Sequence, residues 1–136
     1  MNAQYLFAYG TLIPSHAPAE LAGMVRKFRR IGRGSVRGRL YDLGEYPGAV
    51  LAEGPAMVHG EVYELPADHE ILRKLDEYEG FDPQDRGGSL FTRTECPVRL
   101  ESGEELSCWL YVYNRDPGPA KIVADGDYLH LRATGD

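Results

Sequence analysis

The sequence predicts an α+β fold built on a curved, mostly antiparallel sheet or small barrel. Three observations support this prediction: strand-like segments alternate in polarity, one segment has clear helical periodicity, and strands and helices do not alternate regularly. The 136 residues suit a single domain, residues 1–136, because this length supports one core and no repeat or linker divides it.

Strands and helices are predicted in a defined order along the chain. Strands are expected over residues 4–9, 25–43, 57–65, 90–100 and 105–113, and helices over residues 18–24 and 67–79. The last two strands form a hairpin closed near Ser102-Gly103. Residues 44–55 are expected to be a loop because proline and glycine recur there, and residues 122–131 are a weak segment.

The balance of charge argues against a nucleic-acid partner. The formal net charge is −6, whereas nucleic-acid binding requires an excess of lysine and arginine. Seven of the 15 basic residues nevertheless lie within residues 26–39. They are Arg26, Lys27, Arg29, Arg30, Arg33, Arg37 and Arg39. Because side chains alternate in this segment, we interpret them as the solvent face of a long strand.

The sequence also predicts a cytoplasmic protein without a membrane partner. It has no basic region followed by an apolar run near Met1, and no segment approaches the roughly 20 apolar residues of a membrane span. Cys96 and Cys108 fall in neighbouring predicted strands and either face one another or lie on opposite sides of the sheet. Two cysteines of this kind do not form a disulfide framework.

Neither a metal nor an organic cofactor is expected. The four histidines, at positions 16, 59, 69 and 130, are scattered without the spacing of metal ligands. No serine lies in a nucleophile elbow. The histidines are His16, His59, His69 and His130.

Glu79 is the acidic residue that the helical pattern singles out. At steps of about 100° per residue, the apolar stripe of the second helix is centred near Leu75, and Glu79 falls inside it. Asp76 lies at the margin and Glu77 on the far side, so of the three only Glu79 is expected to face inward. Burial raises the pKa of a carboxyl and suits it to acid–base work. The alternative is that Glu79 pairs with Arg93, Arg86 or another base, or that the helix frays before it.

The segment Tyr9-Gly10-Thr11-Leu12 ends the first predicted strand. Its glycine opens a turn in which several backbone N–H groups are available to a ligand.

Five motifs in order along the chain carry a family resemblance. They are Tyr9-Gly10-Thr11-Leu12, Gly38-Arg39-Leu40-Tyr41-Asp42-Leu43 with Tyr46-Pro47-Gly48, Gly60-Glu61-Val62-Tyr63, Leu75-Asp76-Glu77-Tyr78-Glu79-Gly80, and Trp109-Leu110-Tyr111-Val112-Tyr113. With these motifs the chain resembles the gamma-glutamylcyclotransferase-like family, in particular the compact branch that includes gamma-glutamylamine cyclotransferase.

The resemblance implies both a fold and a reaction. The fold is a small mixed, mostly antiparallel β-barrel with flanking short helices. In the reaction, the α-amine of a γ-glutamyl group attacks its own γ-carbonyl, which forms 5-oxoproline and releases an amine or amino acid. Tyr9, Gly10, Thr11 and Leu12 would bind the glutamyl group, and Glu79 would act as general base and then general acid. No cofactor takes part.

Several questions stay open at the level of sequence. The alternative function is a non-catalytic module that binds a small metabolite on the same fold. The leaving group, the oligomeric state, and the roles of Arg93, Tyr113 and Tyr128 are not assigned.

Overall fold

The computed structural model describes residues 4–10, 19–44, 47–123 and 126–127. Its strands are β1 (Tyr5–Ala8), β2 (Arg29–Asp42), β3 (Pro47–Leu51), β4 (Met57–Glu64), β5 (Phe91–Leu100), β6 (Glu105–Tyr113) and β7 (Lys121–Ile122). Its helices are α1 (Ala19–Val25) and α2 (His69–Glu79).

Five strands close into a barrel in the order β1, β4, β2, β3, β6. The first four are joined by antiparallel pairs. β6 closes the ring by pairing in parallel with β1, at Leu6 and Trp109, and with β3, at Ala49 and Val112. β5 pairs with β6 and with β2, and β7 pairs with β2. The prediction of an α+β fold with a mixed, mostly antiparallel barrel is therefore confirmed.

The prediction that residues 44–55 form a loop was wrong, because β3 lies within them. Pro47 is the first residue of this strand, a position at which proline is tolerated. Gly48 lets the strand pass close to β6, since a Cβ atom there would lie 3.0 Å from the Cβ of Tyr113. Proline and glycine in this segment therefore belong to a closely packed strand and not only to turns.

The second helix begins and ends with well-formed caps. The side chain of Asp68 accepts a hydrogen bond from the backbone N–H of Glu70, and Gly80 ends the helix in the left-handed conformation at φ 70°. Ile71 and Leu75 are buried against the barrel. Neither helix in the described ranges is long and apolar enough to cross a membrane.

Cys96 and Cys108 lie directly opposite one another in the β5–β6 hairpin. Opposite residues of an antiparallel pair point to the same face, and both side chains contact the same core cluster. Of the two alternatives left by the sequence, the cysteines therefore face one another on the same side of the sheet. Both thiols are free.

From Arg29 onward, the basic segment of residues 26–39 lies in β2. Arg29 forms an ion pair with Glu64 at 2.6 Å, and Arg30 pairs with Glu61. These arginines are largely exposed, which agrees with the interpretation of a solvated strand face. The weak segment at 122–131 contributes only Ile122 to β7, and its residues 124–125 and 128–131 lie outside the described residues.

Candidate active site

Tyr9 follows β1 and anchors the end of this strand inside the barrel. Its buried hydroxyl donates a hydrogen bond to the backbone carbonyl of Tyr111 and accepts one from the backbone N–H of Ala49 at 3.2 Å. Burial and the nearby charge of Glu79 raise the pKa of Tyr9 well above its usual range. The phenol therefore stays neutral, and its hydrogen-bonding groups are directed at protein atoms.

Gly10 brings the backbone close to the beginning of β3. A Cβ atom at this position would lie 2.8 Å from Cγ of Pro47, a distance that real Cβ contacts essentially never show. Only glycine therefore fits here without a shift of the proline ring. Thr11 and Leu12, the other half of the predicted binding segment, lie outside the described residues.

Glu79 is the last residue of α2 and is half-buried. Loss of solvent around its carboxyl raises the pKa of Glu79 from 4.5 to about 7. The charge of Glu79 in turn raises the pKa of both Tyr9 and Tyr111. Within the described residues, Glu79 has no hydrogen-bond or ion-pair partner.

Two alternatives to an acid–base role for Glu79 are wrong. The helix continues through Glu79 and ends at Gly80. Arg93 does not pair with Glu79 and instead binds Asp76, with Nε 2.7 Å from Oδ1 and Nη2 3.2 Å from Oδ2. Among the described residues, Glu79 pairs with neither Arg93 nor Arg86.

The prediction that only Glu79 faces inward among the three acids was also wrong. Asp76 is 6% exposed and is more buried than Glu79. Besides Arg93, it accepts a hydrogen bond from the hydroxyl of Tyr111 at 2.7 Å. The helical pattern was built from apolar residues and does not include polar partners supplied by β5 and β6. Glu77 is exposed.

Arg93 and Tyr111 are the site residues whose contacts the sequence analysis missed. They are opposite one another in the β5–β6 register, so both reach α2 from the same face. Counting equally outward from Ser102 in the predicted hairpin would have paired them. Arg93 also lies over the ring of Trp109, with 4.5 Å between the guanidinium carbon and a ring centroid. This cation–π contact helps to hold a desolvated guanidinium.

The two other aromatic residues left unassigned have different outcomes. Tyr113 packs edge-on against Phe91, with ring centroids 5.4 Å apart, and both contact the core cluster between α2 and the barrel. Tyr128 lies outside the described residues. Among the described residues, no three histidine, cysteine, aspartate or glutamate side chains are grouped to hold a metal ion.

Comparison with known proteins places this barrel in a family. The family model described as "Gamma-glutamyl cyclotransferase, AIG2-like" matches residues 6–130. The chain belongs to the gamma-glutamyl cyclotransferase family. The matched residues include all of β1 except Tyr5, and the helix that ends with Glu79.

Relatives with names agree with this assignment. The chain is 36% identical over 131 residues to gamma-L-glutamyl-butirosin B gamma-glutamyl cyclotransferase of Niallia circulans, covering 93% of this chain and 71% of the relative. It is 38% identical over 91 residues to the gamma-glutamylcyclotransferase family protein YtfP of Escherichia coli, covering 67% of each. The solution structure of YtfP superposes with a TM-score of 0.66 at 31% identity, covering 95% of this chain and 99% of YtfP. These matches support an enzyme of the gamma-glutamyl cyclotransferase type.

Proposed function

We propose that this protein cyclises the γ-glutamyl group of a small compound to 5-oxoproline and releases an amine or amino acid, without a cofactor. The observation that carries the proposal is the carboxyl of Glu79. It is half-buried, lies at the end of α2 and has no partner among the described residues. An unpaired carboxyl in such a place costs stability, which a catalytic role would explain.

Glu79 acts first as general base. The α-ammonium group of the substrate transfers a proton to the carboxylate, and the neutral amine then attacks the γ-carbonyl carbon. A carboxyl with a pKa of about 7 is well matched to this transfer near neutral pH, because it can both accept and return a proton.

Glu79 then acts as general acid. The bond between the γ-carbon and the leaving nitrogen breaks, and that nitrogen receives the proton held by Glu79. The α-nitrogen, which still carries two protons after its attack, gives one of them to the released amine, which leaves as an ammonium ion. The five-membered ring of 5-oxoproline is closed by the bond between the α-nitrogen and the γ-carbon. The carboxylate is regenerated, and no oxidant, reductant or metal is required by this balance.

The segment from Tyr9 to Leu12 binds the glutamyl group through backbone N–H donors. Such donors stabilise the negative charge that develops on the carbonyl oxygen during attack. The hydrogen bonds of the Tyr9 hydroxyl support this role, since they fix the backbone that leads into the segment. Holding the glutamyl chain folded also favours ring closure, because the reaction is intramolecular.

The leaving group is the less defined half of the substrate. The relative from Niallia circulans bears a name that specifies gamma-L-glutamyl-butirosin B. For this chain we propose only the shared γ-glutamyl part, with an amine, amino acid, dipeptide or γ-glutamyl-protected biosynthetic intermediate as the leaving group. A cytoplasmic location and the lack of a nucleic-acid partner stay predictions.

The experiment is a substrate panel with a matched pair of variants. Purified protein is incubated with γ-glutamyl amino acids and γ-glutamyl amines, and 5-oxoproline is measured. Glu79→Gln should abolish its release, whereas Glu77→Gln should not, because Glu77 is exposed and paired with Arg73 at 2.8 Å. Release of 5-oxoproline by folded Glu79→Gln at the parent rate would refute the mechanism.

The same panel distinguishes the alternative of a binding module. A non-catalytic module would be stabilised against heat by γ-glutamyl compounds but would form no product. Stabilisation without 5-oxoproline across the whole panel would favour that alternative.

A further inference from the structure

Cys96 and Cys108 form a pair of thiols that the proposed chemistry does not use. They lie opposite one another in the β5–β6 register, and both contact the same core cluster. Cys108 is fully buried, whereas the side chain of Cys96 is partly exposed. Two facing thiols of unequal access have the arrangement of an attacking cysteine and a resolving cysteine.

The backbone hydrogen bonds of the hairpin define the geometry of this pair. Near the turn the N–H of Leu100 donates to the carbonyl of Glu104 at 2.8 Å, and at the open end the N–H of Asn114 donates to the residue before β5 at 2.9 Å. Bonded pairs recur at every second position, so Cys96 and Cys108 form a hydrogen-bonded pair. The Cα atoms of such a pair lie about 5.5 Å apart, a separation that a disulfide can span.

Pro97 opens a route from solvent to the thiol of Cys96. β2 pairs with β5 as far as Ser35, and the next bonded position of that register would place Arg37 opposite Pro97. Proline has no N–H to donate there. The carbonyl of Arg37 instead accepts a bond at 3.5 Å from Ala52, just beyond β3. A groove of about 790 Å³, with Cys96 and Pro97 in its lining, opens between β5 and the end of β3.

The groove offers room and charge for a small acidic disulfide. Its volume falls within the range of small-molecule sites. Its lining includes two arginines and two glutamates, Arg37, Arg99, Glu53 and Glu105. Arg99 and Glu105 pair at 3.7 Å, whereas Arg37 forms no ion pair within the described residues. The guanidinium of Arg37 is therefore available to a carboxylate of the oxidant.

We propose that Cys96 and Cys108 are a reversible oxidation site, which a small disulfide such as oxidised glutathione reaches through this groove. The thiolate of Cys96 attacks one sulfur of the oxidant, which forms a mixed disulfide and releases one thiol. The thiolate of Cys108 then attacks the sulfur of Cys96 and releases the second thiol. Two protein thiols are oxidised to one disulfide, the oxidant is reduced to two thiols, and these carry the two protons away. The site does not depend on the proposed activity.

The surroundings of the thiols make this exchange slow but reversible. Burial raises the pKa of Cys96, and burial with the nearby charges of Cys96 and Glu95 raises the pKa of Cys108 to about 12. Because thiolates are the attacking species, the exchange should accelerate as the pH rises. The Cβ atoms of a hydrogen-bonded pair lie about 5 Å apart, whereas a disulfide holds them at about 3.8 Å. The resulting strain makes the bridge easy to reduce.

Mass spectrometry of the full chain tests the site. The reduced protein is incubated with oxidised glutathione at mildly alkaline pH, and samples are quenched with acid. We expect first a single glutathionyl group on Cys96, and then a product lighter than the reduced chain by two hydrogen atoms. Excess reduced glutathione should restore the starting mass. A folded parent that stays unmodified, that forms disulfides only between two molecules, or whose bridge resists reduced glutathione would overturn the inference.

Variants and alkylation test the order of the two steps. Cys108→Ala should stop at the glutathionyl adduct, whereas Cys96→Ala should stay unmodified over the same time, because Cys108 is fully buried. Circular dichroism checks that both variants fold. In the parent, iodoacetamide should alkylate Cys96 at least about tenfold faster than Cys108, and this measurement needs no variant. Equal alkylation rates for the two thiols would contradict the proposed order.

Discussion

The hydroxyl of Tyr9 donates a hydrogen bond to the backbone carbonyl of Tyr111. This bond reinforces the barrel where its backbone pairing is sparse, since β1 and β6 share a single register pair at Leu6 and Trp109. The side chain of Tyr9 therefore adds a hydrogen bond where the parallel pairing of β1 and β6 is short. The same bond fixes the direction in which the chain leaves β1 towards Gly10.

Replacement of Tyr9 tests this anchor. Tyr9→Phe removes a donor to Tyr111 and leaves the buried N–H of Ala49 without its acceptor, so we expect a loss of about 1–3 kcal/mol in the free energy of unfolding. Urea denaturation measures it. Tyr5→Phe is the matched control, because within the described residues the hydroxyl of Tyr5 has no hydrogen bond. Equal stabilities of the two variants would contradict the anchoring role.

The pKa of Glu79 predicts a stability effect that depends on pH. The folded protein holds this proton more tightly than the unfolded chain, with pKa values of about 7 and 4.5. Stability from this group is thus full below the unfolded pKa and is lost as pH rises through the folded one. Glu79→Gln removes this loss, so the variant should gain about 2 kcal/mol relative to the parent between about pH 5 and about pH 8.

Chemical denaturation at several pH values measures this gain. Glu77→Gln is the control, because Glu77 is exposed on the same helix. Parallel stability curves for the parent and Glu79→Gln across this range would show that Glu79 titrates normally.

The same pKa predicts the form of the pH–rate profile. If the carboxylate of Glu79 accepts the proton, kcat/KM should rise with pH through a single ionisation near its pKa of about 7. The profile is measured at substrate concentrations well below KM. An acidic limb centred near the ordinary glutamate value of 4.5 would mean that another group limits the reaction.

Gly60 tests the packing of the barrel wall next to β1. A Cβ atom at this position would lie 2.4 Å from the backbone oxygen of Ala8, which cannot move without breaking the β1–β4 pairing. Gly60→Ala should therefore cost about 2 kcal/mol or more. The control is Gly87→Ala, since nothing lies within 4 Å of a Cβ atom there. Comparable denaturation midpoints for Gly60→Ala and Gly87→Ala would show that β1 can shift to accommodate the added methyl group.

The sequence was sufficient for the elements whose signals are local. Alternation predicted β5 and β6, and the apolar stripe with Gly80 predicted α2 and its end. β3 was missed because Pro47 and Gly48 have the composition of a turn, and only contact with Tyr113 shows why a strand needs a glycine there.

In the candidate site, too, the sequence predicted the feature with a local signal and missed the one that depends on long-range contacts. The position of Glu79 on the helix follows from a period of about 3.6 residues. The burial of Asp76 does not, because its partners Arg93 and Tyr111 come from strands far along the chain. Long-range pairing of polar groups leaves no mark in the periodicity of one helix.

The hairpin of β5 and β6 has a practical consequence for labelling. Tyr111 and Tyr113 lie near the end of β6, whereas the turn at Ser102 precedes its beginning. A strand of this length separates the turn at Ser102 from these two tyrosines by roughly 25 Å, at about 3.3 Å per residue. A fluorophore or surface tether attached through Ser102→Cys, with Cys96→Ser to remove the partly exposed thiol, would therefore leave the proposed site at the far end untouched.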